Sequence, residues 1–180
     1  MKRRIPYLAV MLGLCLAVAT PAPAQEGMSQ SIHAPFGLRW GERDTRLSQL
    51  ISGANAKVVE KKTVGQRQVW VVEGLVQTNL KRTLFYFKDG GLDEVELQYQ
   101  SDDWVESHYS DFLGQLRQKV EKRFGPGRLL VRSKTPIGDV TQTIVGYAWA
   151  KGESQLEIIY FSAESPTQTY RTVSLHYKAL

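Results

Sequence analysis

The stretch from Asp102 to Gly127 constrains this chain more than any other. Val105, Tyr109, Phe112, Leu113, Leu116, Val120 and Phe124 recur at steps of three and four, which draws one apolar stripe along a helix. Such a stripe needs a sheet or a second helix over it, and Phe112 and Leu116, at its middle, are expected to be buried. Asp103 and Glu106 have the spacing of a capping box, in which each side chain satisfies an amide of the first turn. Lys119, Lys122 and Arg123 fall where the carbonyl end of a helix favours cations. Gly125 can take a left-handed stop and Pro126 cannot continue the helix.

The segments on either side are strand-like and similar to one another. A short helix is expected over Glu42 to Ser52, with Asp44 or Thr45 as its cap, Leu47, Leu50 and Ile51 facing inward and Gly53 as its end. Four strands follow: Ala56 to Lys61, Arg67 to Glu73, Leu80 to Lys88 and Leu92 to Gln100. Asp89-Gly90-Gly91 is a hairpin signal, because glycine accepts the positive φ of tight turns. Beyond the long helix the order repeats, with strands over Arg128 to Ser133, Val140 to Lys151, Gln155 to Ser162 and Thr169 to Lys178. Val95-Glu-Leu97-Gln-Tyr99 and Val173-Ser-Leu175-His-Tyr177 share the pattern Val-x-Leu-x-Tyr. In both, the apolar trio faces one way and the polar residues the other, which is the alternation of a sheet with one wet face. The simplest account is a tandem duplication. The class is α+β: two units, 42–101 and 102–180, each one helix plus a four-stranded antiparallel sheet, with the helices on one face. Residues 25–41 form a leader, whose Phe36, Leu38 and Trp40 are expected to pack on the first unit.

Residues 1–24 read as a signal peptide. Lys2, Arg3 and Arg4 precede an apolar run from Tyr7 to Ala19, and Ala22-Pro23-Ala24 offers small residues to a peptidase, with Gln25 as the mature start. The run is shorter than the roughly 20 residues of a membrane span. Cys15 follows Leu14, which is too large for a lipobox, so it is read as part of the signal. A chain beginning at Gln25 has no cysteine, which removes thiol catalysis, disulfides and cysteine metal sites. Its formal charge falls from +5 to +2 as three cations leave, so the basic balance does not argue for nucleic acid. A periplasmic or secreted location is expected.

No catalytic constellation is present. His33 lies in the polar leader, His176 on the outward face of the last strand, and His108 one turn from Asp111 on the long helix, a spacing typical of a solvated surface pair. Asp93, Glu94 and Glu96 adjoin on one strand, where sequence neighbours point to opposite faces. No metal or cofactor is expected. The candidate binding residues are aromatic: Trp70, Tyr147 and Trp149. The strand Val140 to Lys151 carries apolar or small residues on both faces, so one face meets the helices and the other presents Tyr and Trp, the residue types that anchor interfaces. Coverage of these rings by a second layer around Trp40 is the alternative.

A chain with helix-plus-four-strand units in tandem resembles the β-lactamase-inhibitory protein fold and, in outline, the SmpA/OmlA-type envelope-assembly lipoproteins. Phe36-Gly37-Leu38-Arg39-Trp40-Gly41 before a short helix is similar to the starts of uncharacterised bacterial envelope proteins. The inhibitor fold carries disulfides and the lipoproteins a lipidated cysteine, neither of which this chain matches, and no functional residue is carried over. The resemblance implies a non-enzymatic protein-binding module, inhibitor-like or an envelope-assembly factor. It would meet another envelope or extracellular protein through a sheet face or edge loops, without nucleic acid and without a membrane span. The alternative is a small ligand carrier or hydrolase with its site between sheet and helices.

Overall fold

The structure is a computed structural model that describes residues 31–180. The expectations placed on the signal segment, Cys15 and Gln25 lie outside the described residues. A 3-10 turn at Pro35–Gly37 leads to α1 (Asp44–Gly53). The strands β1 (Lys57–Val64), β2 (Arg67–Glu73), β3 (Leu80–Lys88) and β4 (Gly91–Tyr99) form one meander. After α2 (Glu106–Phe124) comes a second, made of β5 (Arg128–Ile137), β6 (Val140–Lys151), β7 (Ser154–Glu164) and β8 (Thr169–Ala179).

The protein is α+β with an antiparallel sheet, but the strands do not form two sheets. They join in one eight-stranded sheet of order β1-β2-β3-β4-β8-β7-β6-β5. The seam is the antiparallel pair β4–β8, whose register sets Val95 opposite Tyr177, Leu97 opposite Leu175 and Tyr99 opposite Val173. The two Val-x-Leu-x-Tyr trios are thus each other's cross-strand partners, and a local two-fold passes between Leu97 and Leu175. A separate sheet would have left β4 and β8 as edges with unpaired amides and carbonyls, and pairing them removes both.

One face of the sheet carries the core. Phe85, Val95, Ile158 and Val173 are fully buried there, with Leu47 and Ile51 of α1 and Tyr109 and Val120 of α2 in the same cluster. The leader joins it as expected: Leu38 is buried, Phe36 lies 6.2 Å from the Phe85 ring, and Trp40 packs on the cluster. Gly41 and Glu42 exchange backbone hydrogen bonds with Leu92 at 2.8 and 2.9 Å, so this segment is tied to the start of β4.

Both helix starts differ from expectation. α2 begins at Glu106 with Val105 as N-cap and no side-chain cap, so the Asp103–Glu106 capping box does not form. Asp102 and Asp103 lie in a turn before the helix, which displaces the first helical residue past the reach of Asp103. Val105 consequently leaves the stripe and is exposed. α1 likewise has Arg43 as an N-cap without a side-chain bond, and Asp44 falls inside the first turn, where its charge still complements the helix dipole. Gly53 belongs to α1, and the positive φ that ends this region is at Asn55.

Phe112 and Leu116 are half-buried rather than buried, packed against the cluster along the flank of α2.

Candidate functional site

The three aromatics proposed from sequence lie on the core face of the sheet, not on an open one. Trp70, Tyr147 and Trp149 are 4, 7 and 3 % exposed and belong to the core cluster. Trp149 donates from Nε1 to the Gly125 carbonyl at 2.8 Å. The Arg117 guanidinium of α2 sits 4.3 Å above the Tyr147 ring, and Arg132 Nη2 donates to its hydroxyl at 3.1 Å. Lys61 Nζ lies 3.2 Å from the Trp70 ring centroid, and Trp70 meets Phe87 at 5.8 Å. The expected exposed aromatic patch is therefore corrected: α2 lies on the face of β6 that carries Tyr147 and Trp149.

The opposite face is where charge gathers. Val69, Val71, Leu84 and Tyr86 form a small apolar cluster built from strands alone among the described residues. Beside it the seam strands carry a connected polar row. Glu96 of β4 stands opposite His176 of β8, and His176 stands opposite Glu157 of β7. Along the diagonal, His176 Nδ1 lies 2.9 Å from Glu94 Oε1, while Arg67 Nη1 donates to Glu94 Oε2 at 2.6 Å. Tyr86 donates to Glu96 Oε2 at 2.7 Å, and Gln98 donates to Glu96 Oε1. Lys178 Nζ donates to Glu157 Oε2 at 2.8 Å, and Gln155 donates to the other oxygen. Both oxygens of Glu94, Glu96 and Glu157 are thereby occupied, which is what allows three glutamates to be less than 9 % exposed.

A bulge brings the fourth carboxylate in. The β3–β4 register slips between Tyr86 and Phe87, so Asp93 is the extra residue and alternation fails there. Arg67 Nη1 consequently reaches Asp93 Oδ2 at 3.6 Å as well as Glu94, and the same guanidinium stacks 4.5 Å over Tyr86. Burial is the largest influence on Glu94 and pushes its pKa up. The hydrogen bonds from His176 and Arg67 and the nearby charges of Lys178 and His176 together outweigh it, so the Glu94 carboxyl is held below its ordinary value. Asp93 goes the other way: burial raises it, with the Glu94 charge assisting and Arg67 opposing. Burial next to Glu96 likewise pushes the Tyr86 phenol far above its ordinary value.

Sequence reading placed Glu94, Glu96 and His176 on outward faces but did not join them. The joining depends on β4 pairing with β8, whose signal was the repeated Val-x-Leu-x-Tyr. Superposed antiparallel about its leucine, the repeat sets Glu96 against His176. No group of three or more His, Cys, Asp or Glu among the described residues is arranged to hold a metal ion. No helix among them is long and apolar enough to cross a membrane. His108 and Asp111 line a shallow cavity with Trp104 and Gln115 at the side of α2, away from the polar row.

With this geometry in hand, comparison with known proteins adds no relative. No family model, curated protein or solved structure matches the chain.

Proposed function

We propose that the protein is an exported, non-enzymatic binding module that presents the face of its sheet opposite α1 and α2 to another envelope or extracellular protein. The observation that carries the reading is the hydrogen-bonded polar row across the β4–β8 seam, in which Glu94, Glu96 and Glu157 each have both oxygens engaged, while Asp93 Oδ1 at its end is buried without a partner among the described residues. The Glu94 carboxyl, held below its ordinary value, is a weak proton acceptor, which disfavours it as a general base. The buried glutamates fix Arg67 and Lys178, whose side chains are 34 and 29 % exposed, in one arrangement, and a pre-ordered charged surface loses little entropy on docking and selects partners by complementary charge. The signal-like residues 1–24 support export to the periplasm or beyond. The resemblance to inhibitor-like and envelope-assembly proteins agrees with this reading in kind.

A photo-crosslinking residue at Gln98, on this face, and another at Lys122, on the exposed side of α2, test the surface. Adducts in envelope extract are expected from position 98 and suppressed by Glu96→Lys. Equal labelling from both positions would remove the face opposite α1 and α2 as the docking surface.

We also propose that the two meanders are duplicated units. The trios meeting across a local two-fold at Leu97 and Leu175 support it, as does each meander following its own helix. Residues 31–101 and 102–180, co-expressed as separate chains, are expected to assemble through the β4–β8 seam into a particle with the far-UV and near-UV circular dichroism of the intact protein. Halves that yield only unfolded or insoluble chains would count against unit character.

A further inference from the structure

A second site lies on the helix side of the sheet, remote from the polar row. A cavity of about 390 Å³ opens between the leader, the last half of α2 and strands β7 and β8. Its volume lies in the range of roughly 300–1,000 Å³ usual for small-molecule sites. Leu116, Val120 and Phe124 project into it from α2, and Ile32, Leu156 and Tyr177 complete the apolar wall. Lys119 and Arg123 stand beside them, because positions 116, 119, 120 and 123 share one helix face.

Among the described residues the wall contains no carboxylate; its charged groups are the cations Lys119 and Arg123, with His33 on the leader side. Neither Lys119 nor Arg123 forms an ion pair among the described residues, whereas Arg117 on the same helix is held by Glu121 at 2.9 Å. Arg123 lies 5.1 Å from the Phe124 ring, and its charge reaches the Tyr177 phenol, opposing the burial that raises the Tyr177 pKa. The Tyr177 hydroxyl therefore stays protonated, and it takes no hydrogen bond from the described residues. It is left as a neutral donor beside two cations.

The helix dipole accounts for cations near the end of α2, but it acts on Lys122 equally, and Lys122 does not line the cavity. What the dipole leaves unexplained is an apolar pocket whose mouth carries cations and a hydroxyl without partners among the described residues. We propose that this cavity binds a small single-chain amphiphile with an anionic head, its apolar tail on Leu116, Val120 and Leu156 and its carboxylate on Lys119, Arg123 and Tyr177. Charge complementarity selects this occupant: an acidic head finds two cations and a donor, and a cationic head finds none of its partners.

The test titrates the protein with decanoate, below the concentration at which it self-associates, followed by calorimetry and by the methyl signals of Val120 and Leu156. Saturable one-to-one binding is expected, with those methyls shifting most. K119Q/R123Q should weaken it at least tenfold while K122Q leaves it unchanged. Both altered residues of the double variant are exposed, so its thermal midpoint should match the parent and report a folded protein. Decyltrimethylammonium should bind at least tenfold more weakly than decanoate. Absence of saturable decanoate binding would overturn the assignment. So would equal loss in K122Q and K119Q/R123Q, or equal affinity for the cationic amphiphile.

Discussion

Trp149→Ala is expected to destabilise the protein by about 3–5 kcal/mol, the range for truncating a large buried aromatic. The ring is 3 % exposed, and two separate losses combine at this site. Deleting the indole opens a void among Tyr147, Leu156 and the end of α2, and close-packed surroundings collapse only partly into such a space. It also removes the Nε1 donor from the Gly125 carbonyl, an acceptor at the helix end that then needs water. The same ring explains why residue 127 is glycine. A Cβ there would lie 2.6 Å from Trp149 Cε2, closer than carbon atoms approach, and its other close neighbours are atoms of the same rigid indole. Gly127→Ala should therefore destabilise although glycine is usually the weaker residue in extended backbone. In the Trp149→Ala background the clash is gone, so the second substitution should cost little. Urea titration of the two single variants and the double variant measures this coupling. Additive losses would mean that the ring and the 127 backbone are not in the contact described.

How much of this was legible in the sequence depends on the range of the interaction that decides each feature. The spans of β2, β3 and β6 agree with the sequence reading to the residue, because turn residues such as Asp89-Gly90 or Gly138-Asp139 bound strand-forming runs locally. The leader's attachment through Leu38 and Trp40 was legible for the same reason. Helix starts were not. Asp103 has the right chemistry for a cap, but the chain spends Asp102 and Asp103 on a turn, and the choice between turn and cap is made by packing of Trp104 on Tyr109 and Phe112, each 5.0 Å away. Tyr147 and Trp149 were misassigned because β6 carries apolar or small residues on both faces, so alternation could not say which face α2 would cover, and Trp70 because Val69, Trp70, Val71 and Val72 make β2 apolar on both faces as well. The polar row was missed since Glu96 and His176 are far apart in the chain and become neighbours only when β4 pairs with β8. The bulge at Asp93 hid a further contact, because alternation assigns adjacent carboxylates to opposite faces.

Glu94→Ala is the second substitution with a large expected effect, and it probes the surface assigned to binding. Glu94 holds Arg67 at 2.6 Å and His176 at 2.9 Å, so alanine strands both partners. Removing one member of a fully buried pair costs about 3–5 kcal/mol. Here Arg67 keeps 34 % of its side chain in water, and solvent recovers part of that loss, which reduces the expectation to about 2–3 kcal/mol. The pH dependence follows from the direction of each shift. The Glu94 carboxyl is lowered in the folded protein, so its contribution is present above the unfolded value, near 4.3 for glutamate. That contribution is lost as pH falls through the lower folded value. Asp93 is raised in the folded protein, so its contribution has the opposite sign and favours folding as the acid protonates. Glu94→Gln should therefore flatten the fall in stability between about pH 7 and about pH 3, and Asp93→Asn should steepen it. Urea midpoints for the three proteins across that window decide between this account and a cluster of merely solvated charges. If Glu94→Gln loses stability on acidification in parallel with the parent, Glu94 is not held by Arg67 and His176, and the row across the seam is too loose to serve as a pre-ordered docking surface.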